Sequence, residues 1–378
     1  MNCPYQEICG GCPLRGTAPE QYREQKKQHF EYLMHQINQE NISFGLPVFI
    51  GDGNRRRSEF SFSYGKNKLI FGFNAAQTHV IADIENCVLL TDQINAVLPM
   101  LRSFLKELCN IKFSTQIKKK KPAEEENIKQ GKILLTQAEN GIDILLKISE
   151  RINLQHRMII SEFMANCPSI IRFSVQAGNN SVETVLEKMR PYINIAGYRI
   201  YIPSGTFLQA SEKSEKAMTE LVVKYLADTQ GNIADLFCGV GTFSYPLAKN
   251  IKNKITAADS SAELLEGFKQ SVNAQTIPNI RIINRNLFKY PFDSSELKGY
   301  SAVVFDPPRA GAAAQTKEIA KMKNDEKPQK VIAISCNPHT FINDADTLIS
   351  GGYKITEITM VDQFTFSTHC ELVALFEL

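Results

Sequence analysis

The chain has 378 residues, 43% of them apolar, with 43 Lys and Arg against 40 Asp and Glu and a formal net charge of +3. That composition builds real cores and excludes a disordered or collagen-like chain; at roughly 100–200 residues per domain it predicts two or three domains. No apolar run approaches the ~18 residues needed to cross a bilayer. Residues 1–7 carry no basic-then-apolar leader, so a cytoplasmic protein with no membrane partner is expected. Nine cysteines in a reducing compartment then need a purpose other than disulfides.

Cys3, Cys9 and Cys12 open the chain as C-x5-C-x2-C, and all three can reach one metal centre. A fourth thiolate is needed, and Cys87 is the best candidate. Spacing alone does not separate a four-thiolate zinc from an iron–sulfur cluster. After Pro19, the residues Phe30, Leu33, Met34 and Ile37 fall at i, i+3, i+4 and i+7 and predict a helix. Arg55, Arg56 and Arg57 follow, readable either as solvated surface or as phosphate contacts. Residues 58–84 predict a β-meander: Phe60, Phe62 and Tyr64, then Leu69, Phe71 and Phe73, alternate with other residues. Thr91 can cap a helix whose stripe is Ile94, Val97, Leu98, Leu101, Leu105 and Leu108. Lys118 to Lys121, Pro122 and Glu124 to Glu126 read as a solvated loop or hairpin tip.

From about residue 205 strands and helices alternate. Helices are predicted near 210–228, 243–250, 261–273, 313–322 and 339–349. Strands are predicted at 232–236, 254–258, 280–284, 301–305 and 330–334, with two closing strands near 353–361 and 369–376 that can pair antiparallel. This order predicts a mainly parallel, doubly wound sheet.

Three motifs sit at strand ends. Asp235-Leu236-Phe237-Cys238-Gly239-Val240-Gly241 is a glycine turn opening a helix, and Asp259 ends the next strand, where a carboxylate can accept ribose hydroxyls. Ser244 stands where a dinucleotide fingerprint would place its third glycine, which argues against a nicotinamide cofactor. Asp306-Pro307-Pro308-Arg309 is a rigid loop after strand 301–305. Cys336, in Ser335-Cys336-Asn337-Pro338, lies between a strand end and a helix start, where the helix dipole favours thiolate and a lowered thiol pKa is expected. Glu371 enters an apolar closing strand, a costly place for a carboxylate without a partner or a use.

Together with Phe207-Leu208-Gln209 and Asp362-x-Phe364 leading to His369-x-Glu371, these motifs resemble the RNA uracil-C5 methyltransferase family over residues 205–378. The resemblance implies a class I S-adenosylmethionine-dependent methyltransferase, a Rossmann-like doubly wound α/β sheet, plus an α+β iron–sulfur central domain. It implies S-adenosylmethionine as methyl donor, with Gln209, Phe237, Asp259 and Asp306 lining the cofactor and uracil sites. It implies Cys336 as nucleophile and Glu371 as proton acceptor. Cluster-bearing members carry a [4Fe–4S] group on the same cysteine spacing, which implies Cys3, Cys9, Cys12 and Cys87 as its ligands. The opening Cys3 leaves no room for a TRAM domain, so the match is closest to the RlmC type, acting on one uridine of 23S rRNA as a monomer. The implied layout is discontinuous: 1–18 with 50–190 as the iron–sulfur, RNA-binding domain, and 19–49 with 191–378 as the catalytic domain.

Two departures stand out: Thr365 replaces a usual Pro, and Ser367 replaces a usual Thr. The alternatives are another rRNA uridine or the tRNA T-loop. From different classes come an amino-methyltransferase, which needs neither Cys336 nor Glu371, and a non-catalytic iron–sulfur RNA-binding protein.

Overall fold

A computed structural model describes residues 3–76, 78–115 and 124–378, with side chains described outside 113–115 and 124–126. It divides into two compact units: residues 1–16, 52–193 and 202–210 form the first, and 17–51, 194–201 and 211–378 the second.

The first unit holds a seven-stranded sheet. In spatial order its strands are Glu183–Glu187, Ile170–Ala177, Gly141–Ile148, Gln130–Ala138, Arg57–Gly65, Lys68–Asn74 and Ile81–Asp83. All neighbours are antiparallel except Gly141–Ile148 with Ile170–Ala177, which run parallel and are joined by helix Leu154–Asn166, as a parallel pair requires. Alternate residues point to one face: Phe60, Phe62, Ile133, Leu135, Ile144, Leu146 and Phe173 join one core with the stripe of helix Asp92–Asn110. Thr91 occupies that helix's N-cap position, but its hydroxyl is buried and makes no cap hydrogen bond. Strands Phe113–Thr115 and Glu124–Glu126 pair antiparallel, while Lys118 to Lys121 and Pro122, read as a hairpin tip, lie outside the described residues.

The second unit holds an eight-stranded sheet. Its strands are, in spatial order, Val48–Phe49, Lys354–Asp362, Glu371–Glu377, Lys330–Ser335, Tyr300–Phe305, Asn232–Leu236, Ile255–Asp259 and Ile280–Asn284. Glu371–Glu377 is antiparallel to both neighbours; the other pairings are parallel. The central strands are buried on both faces. Val303, Phe305, Val331, Ala333, Leu372 and Ala374 pack into one core with helix Pro338–Ser350 and with Phe30, Leu33 and Met34 of helix Pro19–Met34. Ala302, Val304, Ile332, Ile334, Val373 and Leu375 pack on the other face with Met218, Val222 and Leu226 of helix Glu212–Leu226. Helix on sheet on helix is the expected solution for near-continuous apolar strands. Among the described residues no helix is long and apolar enough to cross a membrane.

Candidate active site and thiol-lined cavity

Strand order reverses between Asn232–Leu236 and Tyr300–Phe305, the switch point at which open α/β sheets bind ligands. Five of the singled-out residues lie on this sheet edge. Phe237 follows Leu236, Asp306 follows Phe305, Cys336 follows Ser335, and Asp259 ends its strand. Glu371 begins the antiparallel strand and so reaches the same edge. Ser335 pairs with Leu372, and that register carried one residue further sets Cys336 opposite Glu371.

Cys336 is half-buried, whereas Cys238 and Cys370, the other cysteines of this unit, are buried. Burial pushes its thiol up to about 11, with the Glu371 and Asp306 carboxyls adding to the rise and Arg309 opposing it. This corrects the expected lowering: desolvation and two carboxyl groups outweigh the neighbouring cation and helix end. Asn337, next in sequence, caps helix Pro338–Ser350 by accepting from His339 N at 3.2 Å and donates to the Arg309 carbonyl at 3.0 Å, tying the two loops together.

Glu371 is buried, and desolvation, followed by the Asp306 charge, pushes its carboxyl up to about 8. Gln363 Nε2 donates to Glu371 Oε1 at 3.1 Å and opposes that rise, as does Arg309. Behind this pair lies a network the sequence did not announce. Tyr22 OH donates to Asp362 Oδ2 at 2.6 Å, Lys26 forms a buried ion pair with Asp362, and Lys26 Nζ also donates to the Phe364 carbonyl at 3.2 Å. Tyr22 stacks on Phe366 with ring centroids 4.4 Å apart. The one sequence signal was a Tyr and a Lys at four-residue spacing in line with Phe30 on an otherwise apolar stripe.

The two departures in this loop have local substitutes. Thr365 Oγ1 donates to the Gly51 carbonyl at 3.3 Å, and Ser367 Oγ accepts from His369 N at 3.1 Å.

In the glycine turn, Asp259 accepts from Gly239 N at 3.0 Å and from Ser261 N at 2.9 Å, so it links the turn to the next helix. Phe237 has a positive φ of 60°, a strained conformation for a non-glycine residue of the kind found at functional sites. Gly241, with φ of 93°, lies where a Cβ would stand 2.5 Å from the Phe268 ring. Gly239 has nothing within 4 Å of a Cβ, so open space faces its backbone. The Asp235 carboxyl is wholly buried, its Oδ1 has no hydrogen-bond partner among the described residues, and desolvation pushes it up to about 7.

Gln209 belongs to the first unit, where it is buried and its carbonyl accepts from Arg56 Nε at 3.2 Å. Arg56 fits neither reading of the arginine run. Arg56 is buried, Arg57 Nε donates to the Thr206 carbonyl at 3.0 Å with its guanidinium over the Phe207 ring, and Arg55 lines a cavity. The Arg56 side chain is committed to the fold. Arg56→Ala therefore lowers stability by about 1–3 kcal/mol, read as a fall in thermal midpoint, because it strands buried carbonyl acceptors.

That cavity, of about 200 Å3, is lined by Cys3, Cys9, Cys12 and Cys87 with Arg15 and Arg55. Arg15 Nη2 approaches Cys12 Sγ at 3.9 Å, and Arg15 Nη1 pairs with Asp52 at 2.7 Å. Burial raises the Cys12 thiol, and that of Cys87 to about 11. Among the described residues no group of three or more His, Cys, Asp or Glu converges closely enough to hold a metal ion: the thiols face a space rather than a point. Cys109 and Cys167 are buried in the apolar core of this unit.

The second unit has the fold of an S-adenosylmethionine-dependent methyltransferase, with Cys336 and Glu371 at the same edge of its sheet. A family model described as tRNA (uracil-5-)-methyltransferase matches residues 178–377, and the chain belongs to that family of uracil-C5 RNA methyltransferases. It is 32% identical to an uncharacterised RNA methyltransferase of Agrobacterium fabrum, over 98% of this chain and 82% of that protein. It is 29% identical to RlmD of Vibrio parahaemolyticus, a 23S rRNA (uracil(1939)-C(5))-methyltransferase, over 99% of this chain and 81% of that one. Among solved structures, Pyrococcus abyssi tRNA (uracil-54, C5)-methyltransferase in complex with S-adenosyl-L-homocysteine shares the fold, with a TM-score of 0.72 at 21% identity, over 99% of this chain and 86% of that one. Family membership sets aside the exocyclic-nitrogen and non-catalytic readings.

Proposed function

We propose that this chain methylates C5 of one uridine in 23S rRNA, of the RlmC type, with S-adenosylmethionine as donor, Cys336 as nucleophile and Glu371 as base. The observation that carries it is the register that opposes Cys336 to Glu371 at the switch-point edge of the sheet. The residues of the glycine turn fit the donor. Gly239 leaves its backbone open to a ligand, Asp259 has lone pairs left for a ribose, and the orphaned Asp235 oxygen awaits a donor. Bound there, S-adenosylmethionine supplies an electrophilic sulfonium methyl group.

Uracil C5 is a poor nucleophile. Cys336, having lost its proton, forms an S–C6 bond, and the C5=C6 electrons move toward O4 as an enolate. C5 then takes the methyl group. Glu371 removes the C5 proton, and the freed electron pair reforms C5=C6 and expels Cys336 as thiolate. The step needs Glu371 ionised and Cys336 deprotonated, whereas burial pushes the Glu371 carboxyl up to about 8 and the Cys336 thiol up to about 11. The rate of methylation therefore rises with pH from 7 to 9, and a flat or falling profile contradicts the assignment. The same shift bears on stability. The protonated carboxyl is the form the fold prefers, so stability falls as pH rises from the ordinary carboxyl range through about 8. Glu371→Gln removes that loss, and its gain in thermal midpoint over wild type grows across this window.

Gly239→Ala separates turn geometry from ligand approach. Its φ of 54° costs about 1 kcal/mol of stability, but the added methyl enters the open space. S-adenosylmethionine affinity, measured by calorimetry, falls by more than tenfold while the fold persists.

We further propose that Cys3, Cys9, Cys12 and Cys87 hold a [4Fe–4S] cluster. A four-thiolate zinc draws its sulfurs to ~2.3 Å from one point, whereas these thiols line about 200 Å3. A water occupies only ≈ 30 Å3 of liquid, so the space suits a multi-atom group. Arg55 favours the thiolates of Cys12 and Cys87, and Arg15 that of Cys12. The first unit is then the RNA-binding one, and an extruded uridine in single-stranded rRNA is the substrate the chemistry requires. Mapping 5-methyluridine in a deletion strain tests the target: the loss falls in 23S rRNA, and a loss confined to tRNA overturns it.

A further inference from the structure

We propose that Gln363 is the positioning residue for proton removal: its side-chain amide holds the Glu371 carboxylate, and Ser211 and Ser214 hold that amide in the donating orientation. This rests on the reading of Glu371 as base.

Gln363 is buried one residue past strand Lys354–Asp362. Its Oε1 accepts from Ser211 N at 3.4 Å and from the buried Ser214 hydroxyl. A backbone N–H facing one end of an amide fixes that end as the oxygen, so Nε2 must point the other way, at Glu371 Oε1, 3.1 Å distant. Ser211 caps helix Glu212–Leu226, so the amide is referenced to a rigid element rather than to its own loop. On its other side, Asp362 is clamped by Tyr22 and Lys26, which fixes where Gln363 emerges.

The function follows from what else faces Glu371. Asp306, Cys336 and Cys370 are acids whose ionised forms repel a carboxylate, and Arg309 is a cation that favours it. Gln363 is a neutral donor bonded to the carboxyl, so it favours the basic form without adding a charge that would compete for Asp306. It also presents one oxygen as acceptor and leaves the other for the C5 proton. Removing the amide leaves Glu371 protonated to higher pH and free to turn.

The test compares Gln363→Leu, Ser214→Ala and Glu371→Gln with wild type, as holoenzymes on the same rRNA fragment. Turnover is followed against pH, single-turnover methyl transfer is timed, and the methylated protein–RNA adduct is quantified on denaturing gels. Gln363→Leu lowers kcat by about ten- to a hundredfold near neutral pH, the worth of a hydrogen bond to a charged group. KM changes little, methyl transfer stays within a few-fold of wild type, and methylated adduct accumulates. Its rising pH limb moves up by about one unit. Ser214→Ala, a single-oxygen deletion that keeps the helix cap, shows the same direction with a smaller shift. Wild-type pH limbs and no adduct in both variants, while Glu371→Gln does accumulate adduct, overturn the role of Gln363 alone. Absence of adduct in Glu371→Gln overturns the reading of Glu371 itself.

Discussion

Cys336→Ala abolishes turnover, by at least about 10⁴-fold, yet binds RNA and S-adenosylmethionine as wild type does. No other nucleophile can take its place. Cys238 and Cys370 share the unit, but both are buried, with Cys370 pushed up to about 12 and Cys238 raised well above its ordinary value. Without the S–C6 bond, C5 never gains enolate character, so the loss lies in the chemical step rather than in binding. Glu371→Gln fails later. It keeps the nucleophile and nearly the same side-chain shape, so it methylates once and stalls with the methyl group on C5 and Cys336 still attached. Single-turnover transfer within a few-fold of wild type, beside a steady-state rate lower by about 10³-fold or more, is the expected signature. Normal turnover in Glu371→Gln removes it from the proton step.

The second large effect concerns the thiol-lined cavity. The expected result of purification without oxygen is a brown protein, with broad visible absorbance and about four irons per chain. Cys87→Ser abolishes both, because Cys87 supplies one wall of the cavity that Cys3, Cys9 and Cys12 line from the N-terminal segment. Cys109→Ser and Cys167→Ser keep the iron and only lose stability, since both thiols sit in the apolar core away from the cavity wall. Stoichiometric zinc with no visible absorbance contradicts the cluster.

Much of the second unit was legible because its strands are short apolar runs broken by turn residues, and its helices carry clear stripes. The strands expected at 232–236, 280–284 and 330–334 stand within a residue of that, and the closing pair is antiparallel. Phe237, Asp259, Asp306 and Cys336 were read at strand ends because each follows an apolar run directly. What escaped was mostly long-range or too short to show a period. Strand Val48–Phe49 has two residues and exists only because Lys354–Asp362 offers it an edge. Helix Ser294–Leu297 is one turn, fixed by the Asp293 capping box. The contact of Lys26 with Asp362 spans 336 positions, and no local pattern encodes it. Arg55, Arg56 and Arg57 misled because three adjacent cations read as surface, while the contacts that bury Arg56 and seat Arg57 come from residues about 150 positions away. The thiol shift at Cys336 was misjudged because the helix end was visible in sequence, whereas the burial and the opposing Glu371 were not.

The most direct test is mass spectrometry of the protein incubated with S-adenosylmethionine and an rRNA fragment carrying 5-fluorouridine at the target position. Fluorine cannot leave as a cation, so the reaction halts after methyl transfer. The account predicts a denaturation-resistant complex whose protease digest places a methylated fluorouridine on the peptide containing Cys336. An unmodified Cys336 peptide beside a methylated RNA, or a crosslink on any other residue, contradicts it.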